Sequence, residues 1–133
     1  MAMVTAFIPK KYSQQTKDKF IAALGDVECI GFEMSREYEH VYLHEFDTTH
    51  SDETMQKTKY LVIYTGAGKP NKSKAKIAEL FKQKCDEVFG PEDTVNACVV
   101  LEEHTNWMIS CEGMMRCEDP VAVAAQKAYQ DKA

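Results

Sequence analysis

The sequence lacks the features that mark membrane proteins, secreted proteins and general nucleic-acid binders. Its 133 residues contain no apolar run long enough to span a bilayer, and the start of the chain shows no charged-then-apolar signal pattern. The formal net charge is −5, whereas nucleic-acid-binding domains usually present a basic face. We therefore expect one cytoplasmic domain with no membrane and no nucleic-acid partner.

The cysteines form no recognisable metal or disulfide pattern. There are five, an odd number, with no CxxC pair and no histidine at zinc-site spacing. Cys29 and Cys85 lie on helix patterns and Cys98 lies on a strand pattern, so we expect them to be small buried apolar side chains. The sequence predicts neither a metal nor a cofactor.

Arginine is scarce, since Arg36 and Arg116 are the only two in the chain. The planar guanidinium binds a carboxylate through two directed hydrogen bonds, whereas a lysine ammonium acts as a point charge. This shortage limits bidentate recognition of organic acids.

One stretch in the second half of the chain combines a strand, a turn and a helix. Residues 60–64 are aliphatic, mostly β-branched, or aromatic, and predict a buried strand. Residues 65–70 contain two glycines and a proline and predict a turn. Asn71 or Ser73 is expected to cap the helix that follows, whose apolar positions recur at three and four residues: Ile77, Leu80 and Phe81.

The turn carries positive charge where a helix begins. Lys69, Lys72 and the free amides of the first helical turn are suited to hold an anion. Residues 66–73 are also close to the phosphate-binding pattern G-x-x-x-x-G-K-[ST]. Pro70 removes one amide from such a cradle, and the chain offers only about four main strands. A nucleotide-binding function is therefore the weakest of the hypotheses.

The same strand–helix–strand pattern occurs in both halves of the chain. In the first half an apolar run precedes a helix opened by Ser13, and a second strand pattern follows each helix. We predict an α+β fold in which two β-α-β repeats form a four-stranded sheet with helices on one face. The predicted single domain, 1–133, comprises repeat one (2–58), repeat two (59–116) and a C-terminal helix (119–131), which Asp119 caps with Pro120 at its first position.

The order of these motifs resembles the tautomerase superfamily. The segment 68–73, with Asn-Lys-Ser opening the second helix, is similar to that of macrophage migration inhibitory factor and its relatives. Ser13-x-x-x-Lys17 resembles the opening helix of the 4-oxalocrotonate tautomerase group, and Asn106-Trp107 resembles the aromatic that closes those active sites. The resemblance covers residues 2–116 and leaves the C-terminal helix outside.

The resemblance implies a homotrimer that acts on small 2-oxo, enol or unsaturated acids. Enzymes of this superfamily use an N-terminal proline as general base or acid, but the corresponding position here is Ala2. If Met1 is removed, the Ala2 amine is a weak base near the positive turn. The implied site then comprises Ala2 as the catalytic group, Lys69 and Lys72 as anchors for the substrate carboxylate, and Trp107 as an apolar wall.

Two functional hypotheses follow from this interpretation. The first is an isomerase that moves a proton on a small enolisable acid. The second is a non-enzymatic homotrimer of the same fold that binds a small anion or a protein partner, which the absent proline and the scarce arginines favour.

Overall fold

The computed structural model describes residues 2–131, which form a mixed four-stranded sheet, a small hairpin and four α-helices. The strands are β1 (Ala2–Pro9), β2 (Val41–Phe46), β3 (Thr58–Gly66), β4 (Asn96–His104), β5 (Ser110–Cys111) and β6 (Met114–Met115). The helices are α1 (Gln14–Gly31), α2 (Glu53–Gln56), α3 (Asn71–Phe89) and α4 (Pro120–Asp131). Short 3₁₀ turns lie at Arg36–Tyr38, Thr48–His50, Pro91–Asp93 and Arg116–Glu118.

The sheet has the strand order β2-β1-β3-β4 and contains both pairing directions. β1 pairs with β2 in parallel, β3 pairs with β4 in parallel, and the two inner strands β1 and β3 are antiparallel. One long helix connects the two strands of each parallel pair, as expected for a β-α-β unit. The predicted doubled β-α-β fold is therefore confirmed.

The core lies between the sheet and the two long helices. Alternate residues of β1 and β3 point to the helices and are completely buried, and they meet apolar residues of α1 and α3 at helical spacing: Val4, Ala6, Ile8, Leu61, Ile63, Phe20, Leu24, Val27, Ile77 and Phe81. The helices themselves approach closely at Gly31, where a Cβ atom would lie 2.3 Å from Ile77 Cγ1. A larger residue at Gly31 would therefore push α1 and α3 apart.

The other face of the sheet carries aromatic side chains. Phe7 stacks on His44 with ring centroids 5.0 Å apart, and Tyr42 meets His44 edge-on at 5.0 Å. Phe7 also contacts Tyr60 in β3. Tyr42 and Tyr64 remain 44% and 41% exposed, so this face is apolar and open in the single chain.

Several local predictions are corrected by the structure. Ser13 caps α1 by accepting a hydrogen bond from the Thr16 amide, but α3 begins after Pro70, without a side-chain cap from Asn71 or Ser73. Both of these residues already lie inside the first helical turn. Cys29 and Cys85 are buried as predicted, whereas Cys98 is exposed because it pairs with Tyr60 on the aromatic face.

Within residues 2–131, no helix is both long and apolar enough to cross a membrane.

Candidate functional site

A cavity of about 350 Å³ opens at the end of the sheet where β1 begins and β3 ends. Ala2 pairs with Thr65 at this end, and the turn after β3 continues from Gly66 to Lys69. The 3₁₀ turn after α1 and the helix α4 complete the walls. The lining side chains and backbone include Ala2, Phe32, Glu33, Met34, Tyr38, His40, Gly66, Ala67, Gly68, Lys69, Arg116, Val121, Ala122, Ala125 and Gln126.

The antiparallel pairing of the inner strands places Ala2 beside the positive turn. Ala2 is 3% exposed and is the first residue of β1. Gly68 has φ of +93°, a left-handed conformation that glycine adopts readily and most other residues do not. The turn at Gly68 thus brings the following residue, Lys69, to the cavity into which Ala2 also faces.

Lys69 lies in largely apolar surroundings. Its Nζ atom is 5.2 Å from the centre of the Phe32 ring, a distance typical of a cation–π contact. Burial lowers the pKa of the Lys69 amine, and the negative charge of Glu103 opposes that effect. A bound carboxylate would favour the charged form of this lysine, which burial disfavours.

Of the four site residues predicted from the sequence, the structure brings two together. Ala2 and Lys69 line the same cavity, whereas Lys72 and Trp107 are outside the lining formed by the described residues. Lys72 is exposed on the first turn of α3. Trp107 follows β4 and is 69% exposed.

The structure also adds residues that sequence reasoning did not place in a site. Tyr38 and His40 come from the connection between α1 and β2, and Arg116 comes from the turn before α4. Arg116 was conspicuous only as one of two arginines. Its guanidinium Nη1 lies 3.8 Å from the Asp119 carboxylate, so its charge is partly balanced within the chain.

The C-terminal helix is held against the turn that carries Lys69. Asn106 donates a side-chain hydrogen bond to Gln126, and Gln126 Nε2 donates one to the Ala67 carbonyl at 3.3 Å. The Ala67 amide in turn donates to the His104 carbonyl at 2.8 Å. The side-chain amide of Gln126 therefore links α4 both to the segment that follows β4 and to the positively charged turn.

A buried carboxylate lies behind the cavity. Glu28 of α1 is completely buried and accepts a hydrogen bond from the backbone amide of His40 at 3.2 Å. Burial raises the pKa of Glu28 to about 7, although the hydrogen bond from His40 lowers it. Glu28 therefore changes its protonation near neutral pH, directly behind a residue that lines the cavity.

The opposite end of the sheet, where the second repeat begins, is filled by a lysine. Lys59 is the second residue of β3 and therefore lies near the start of its strand, just as Ala2 is the first residue of β1. The side chain of Lys59 is completely buried. Lys59 Nζ donates to the Asp93 carbonyl at 2.5 Å and lies 3.7 Å from the Asp93 carboxylate. The Phe89 ring lies 4.7 Å from the same nitrogen, and the Tyr12 hydroxyl donates to Asp93.

The geometry does not support the nucleotide-binding hypothesis. β3, which precedes the glycine-containing turn, has β1 as an antiparallel neighbour, whereas phosphate-binding loops of this pattern belong to parallel sheets. Among the described residues, no group of three histidine, cysteine, aspartate or glutamate side chains is placed to hold a metal ion.

Comparison with solved structures identifies the fold. A fused 4-OT wild-type asymmetric trimer matches with a TM-score of 0.75 and 14% identity over 85% of this chain and 94% of that chain. Native fused 4-OT matches with 0.75 and 16% over the same shares. A malonate semialdehyde decarboxylase matches with 0.70 and 10% over 93% of this chain and 98% of that chain.

These likenesses define the class of fold: the chain has the two-repeat β-α-β fold of the tautomerase superfamily. The resemblance predicted from the sequence is thus confirmed at the level of the fold. No protein-family model matches the sequence, and no curated protein sequence matches it significantly.

Proposed function

We propose that this chain is a tautomerase-type isomerase that moves a proton on a small enolisable acid. The observation that carries the proposal is the meeting of Ala2, at the start of β1, with Lys69 in one cavity. A site for this reaction needs a base near neutral pH and a cation that stabilises the developing enolate. The likeness in fold to fused 4-OT supports a tautomerase-type activity, whereas malonate semialdehyde decarboxylase shows that the same fold also carries a different reaction.

In this proposal the Ala2 amine is the proton carrier once Met1, which lies outside the described residues, has been removed. A free α-amine has a pKa of about 7.7–8.0, and burial lowers it further. Lys69 holds the substrate carboxylate, and its lowered pKa sets an upper pH limit on binding. Lys72, on the exposed first turn of α3, then serves only to attract anions towards the cavity.

We further propose that the chain assembles as a homotrimer. The aromatic face of the sheet, with Phe7, Tyr42 and Tyr64, is open in the single chain, and burying such a face stabilises an assembly. Several fused 4-OT structures of the same fold are trimers. In the trimer the exposed Trp107 supplies the apolar wall of a neighbouring chain's cavity.

The alternative is a non-enzymatic homotrimer that binds a small anion or a protein partner. The observation that favours it is Ala2 itself, because a primary amine replaces the proline that the resemblance implies. An Ala2→Pro variant distinguishes the two functions. Turnover that appears only in this variant supports the non-enzymatic alternative, and turnover already present in the native chain supports the isomerase.

The isomerase is tested by the ketonisation of phenylenolpyruvate with native protein, Lys69→Ala and the matched control Lys72→Ala. Removing Lys69 is expected to lower kcat/KM by about 10- to 100-fold, the contribution of a hydrogen bond to a charged group. Lys72→Ala is expected to stay within about twofold, because exposed charges are screened. No native rate above buffer, or equal losses in both variants, contradicts the proposal.

Two mass measurements complete the test. The intact mass of the purified chain reports whether Met1 is removed, and retention of Met1 in an active sample excludes the Ala2 amine as the base. Native mass spectrometry reports the assembly, and a monomer at working concentration contradicts the homotrimer.

A further inference from the structure

His40 lies immediately before β2 and close to the start of β1. The Val4 amide donates to the His40 carbonyl at 2.8 Å, and Val4 pairs with Val41 of β2. Ala2 is two residues before Val4 in the same strand. Because neighbouring strands lie about 4.8 Å apart and residues rise about 3.3 Å along a strand, the backbone of His40 lies within roughly 10 Å of Ala2. Both residues line the cavity, so a small acid bound there can contact both.

The backbone of His40 is held from two sides. Its carbonyl accepts from Val4, and its amide donates to the Glu28 carboxylate, whose oxygens lie at 3.2 and 3.4 Å. Glu28 is completely buried in α1. The exposed side chain of His40 therefore starts from a fixed point in the wall of the cavity.

The imidazole ring of His40 is held in one tautomer. Its Nδ1 atom lies 2.7 Å from the Tyr38 carbonyl oxygen. A carbonyl oxygen only accepts hydrogen bonds, so Nδ1 carries the proton of the neutral ring and Nε2 carries the lone pair. Nε2 is therefore the nitrogen of His40 that can take a proton from a ligand.

The proposed ketonisation moves protons at two atoms of the substrate, because the enol oxygen loses a proton and a carbon gains one. The Ala2 amine must be protonated to supply the carbon, and in that form it cannot accept the proton of the oxygen. A second group in the cavity is suited to accept it, and imidazole is the side chain that most often transfers protons in enzymes.

We propose that His40 is a second catalytic residue of this site, whose Nε2 takes the proton of the enol hydroxyl while Ala2 supplies the carbon. The electrons of the O–H bond complete the carbonyl of the keto acid. The electron pair of the carbon–carbon double bond takes a proton from the Ala2 ammonium and forms the new C–H bond. The His40 imidazolium and the neutral Ala2 amine then exchange protons with water, which restores both groups.

This inference rests on the proposed function, because it assigns a residue to that reaction. Its test compares kcat and KM for phenylenolpyruvate in the native chain, His40→Gln and His50→Gln. Glutamine can still donate to the Tyr38 carbonyl but is not a base, so His40→Gln is expected to lower kcat by about 100-fold and to leave KM within about threefold. His50, an exposed histidine in the 3₁₀ turn beyond the other end of β2, is the matched control, and His50→Gln is expected to keep kcat within about twofold.

Two further measurements separate proton transfer from a structural role. Imidazole added to His40→Ala is expected to restore kcat by about tenfold, which a residue that only supports the fold would not show. Nitrogen-15 NMR of the native chain is expected to place the proton of the neutral His40 ring on Nδ1 and needs neither turnover nor a variant. Circular dichroism compares the folding of each variant with that of the native chain.

The outcomes distinguish this inference from the proposed function. Native turnover that Lys69→Ala lowers and His40→Gln retains overturns the role of His40 and leaves the isomerase in place. Absence of native turnover overturns both. Equal losses in His40→Gln and His50→Gln, no restoration by imidazole, or a proton on Nε2 of the neutral ring overturns the role of His40.

Discussion

The two ends of the sheet are equivalent in the repeat but have opposite characters. At one end Ala2 has a side chain of a single methyl group and a cavity of about 350 Å³ opens beside it. At the other end Lys59 fills the space with a completely buried chain that bonds to Asp93. One end thus has an open cavity, the candidate ligand site, and the other end is sealed by a buried side chain.

The sealed end is held together by a network of charge and aromatic rings. Burial lowers the pKa of Lys59, although the nearby Asp93 carboxylate raises it. Burial alone would raise the pKa of Asp93, but hydrogen bonds from Tyr12 and Lys11, together with the positive charges of Lys59 and Lys11, lower the net pKa. The open end is covered by an additional element, because α4 packs at the end of the sheet that carries Ala2 and not at the end that carries Lys59. The two ends therefore differ in two features: the side chain near the start of the strand, Ala2 or Lys59, and the presence of α4 at the Ala2 end only.

The largest expected effect is a loss of stability when the sealed end is emptied. Lys59→Ala removes a completely buried chain with its bonds to Asp93 and is expected to lower the free energy of unfolding by about 3 kcal/mol. Urea denaturation measures the change. Lys59→Met keeps most of the volume and is expected to cost about half as much or less.

The same measurement on the open end sharpens the comparison. Lys69 is only partly buried, and Lys69→Ala is expected to change the free energy of unfolding by less than about 1 kcal/mol while it weakens ligand binding. Equal destabilisation by Lys59→Ala and Lys69→Ala would show that both ends are structural.

The next effect is a dependence of stability on pH that arises from Glu28, which lies behind the cavity at the open end. The pKa of Glu28 rises from 4.5 in the unfolded chain to about 7 in the folded chain, so the folded state binds this proton more tightly. The stability from this group is complete below pH 4.5 and is lost as pH rises through about 7. Glu28→Gln, which still accepts from the His40 amide, is expected to be more stable than the native chain at pH 8 by about 1–3 kcal/mol.

Thermal unfolding of both chains from pH 4 to pH 8 measures this difference. At pH 4 the two chains are expected to have similar stability, because native Glu28 is then protonated. A difference that does not depend on pH would mean that Glu28 stays charged in the folded chain and is paired in some other way. The partly exposed ion pair of Lys17 and Glu45 provides the control Glu45→Gln, which is expected to lack the gain at pH 8.

The sequence predicts the parts of the fold and site that depend on local pattern. The strand–turn–helix unit around Lys69 follows from β-branched residues, glycines and helical spacing within about twenty positions, and the repeat then predicts the sheet. The prediction that Asn71 or Ser73 caps α3 was wrong for a local reason. Pro70 favours the extended backbone of an N-cap position, with φ of −62° and ψ of 143°, so Asn71 enters the helix.

The parts that the sequence could not predict depend on distant contacts. The predicted C-terminal helix has only a weak apolar face, which does not indicate where the helix packs. The role of Gln126 in attaching this helix depends on its partners Asn106 and Ala67, which are distant in the sequence. Cys98 was mistaken for a core residue because strand alternation does not reveal which face the helices cover. The register opposite Tyr60 decides that it is exposed.

The smallest expected effect concerns the attachment of α4, the element that the sealed end lacks. Gln126→Leu removes two side-chain hydrogen bonds and is expected to lower the stability of α4 by about 1 kcal/mol, while the sheet and the long helices are unchanged. Hydrogen exchange resolved by segment is expected to show faster exchange in α4 and in the turn at Ala67, with little change at Lys59. Lys127→Leu, an exposed neighbour on the same helix, is the matched control. Faster exchange in both variants would assign the effect to the introduced leucine and not to the lost hydrogen bonds. Unchanged exchange in Gln126→Leu would show that apolar packing alone holds α4 over the cavity.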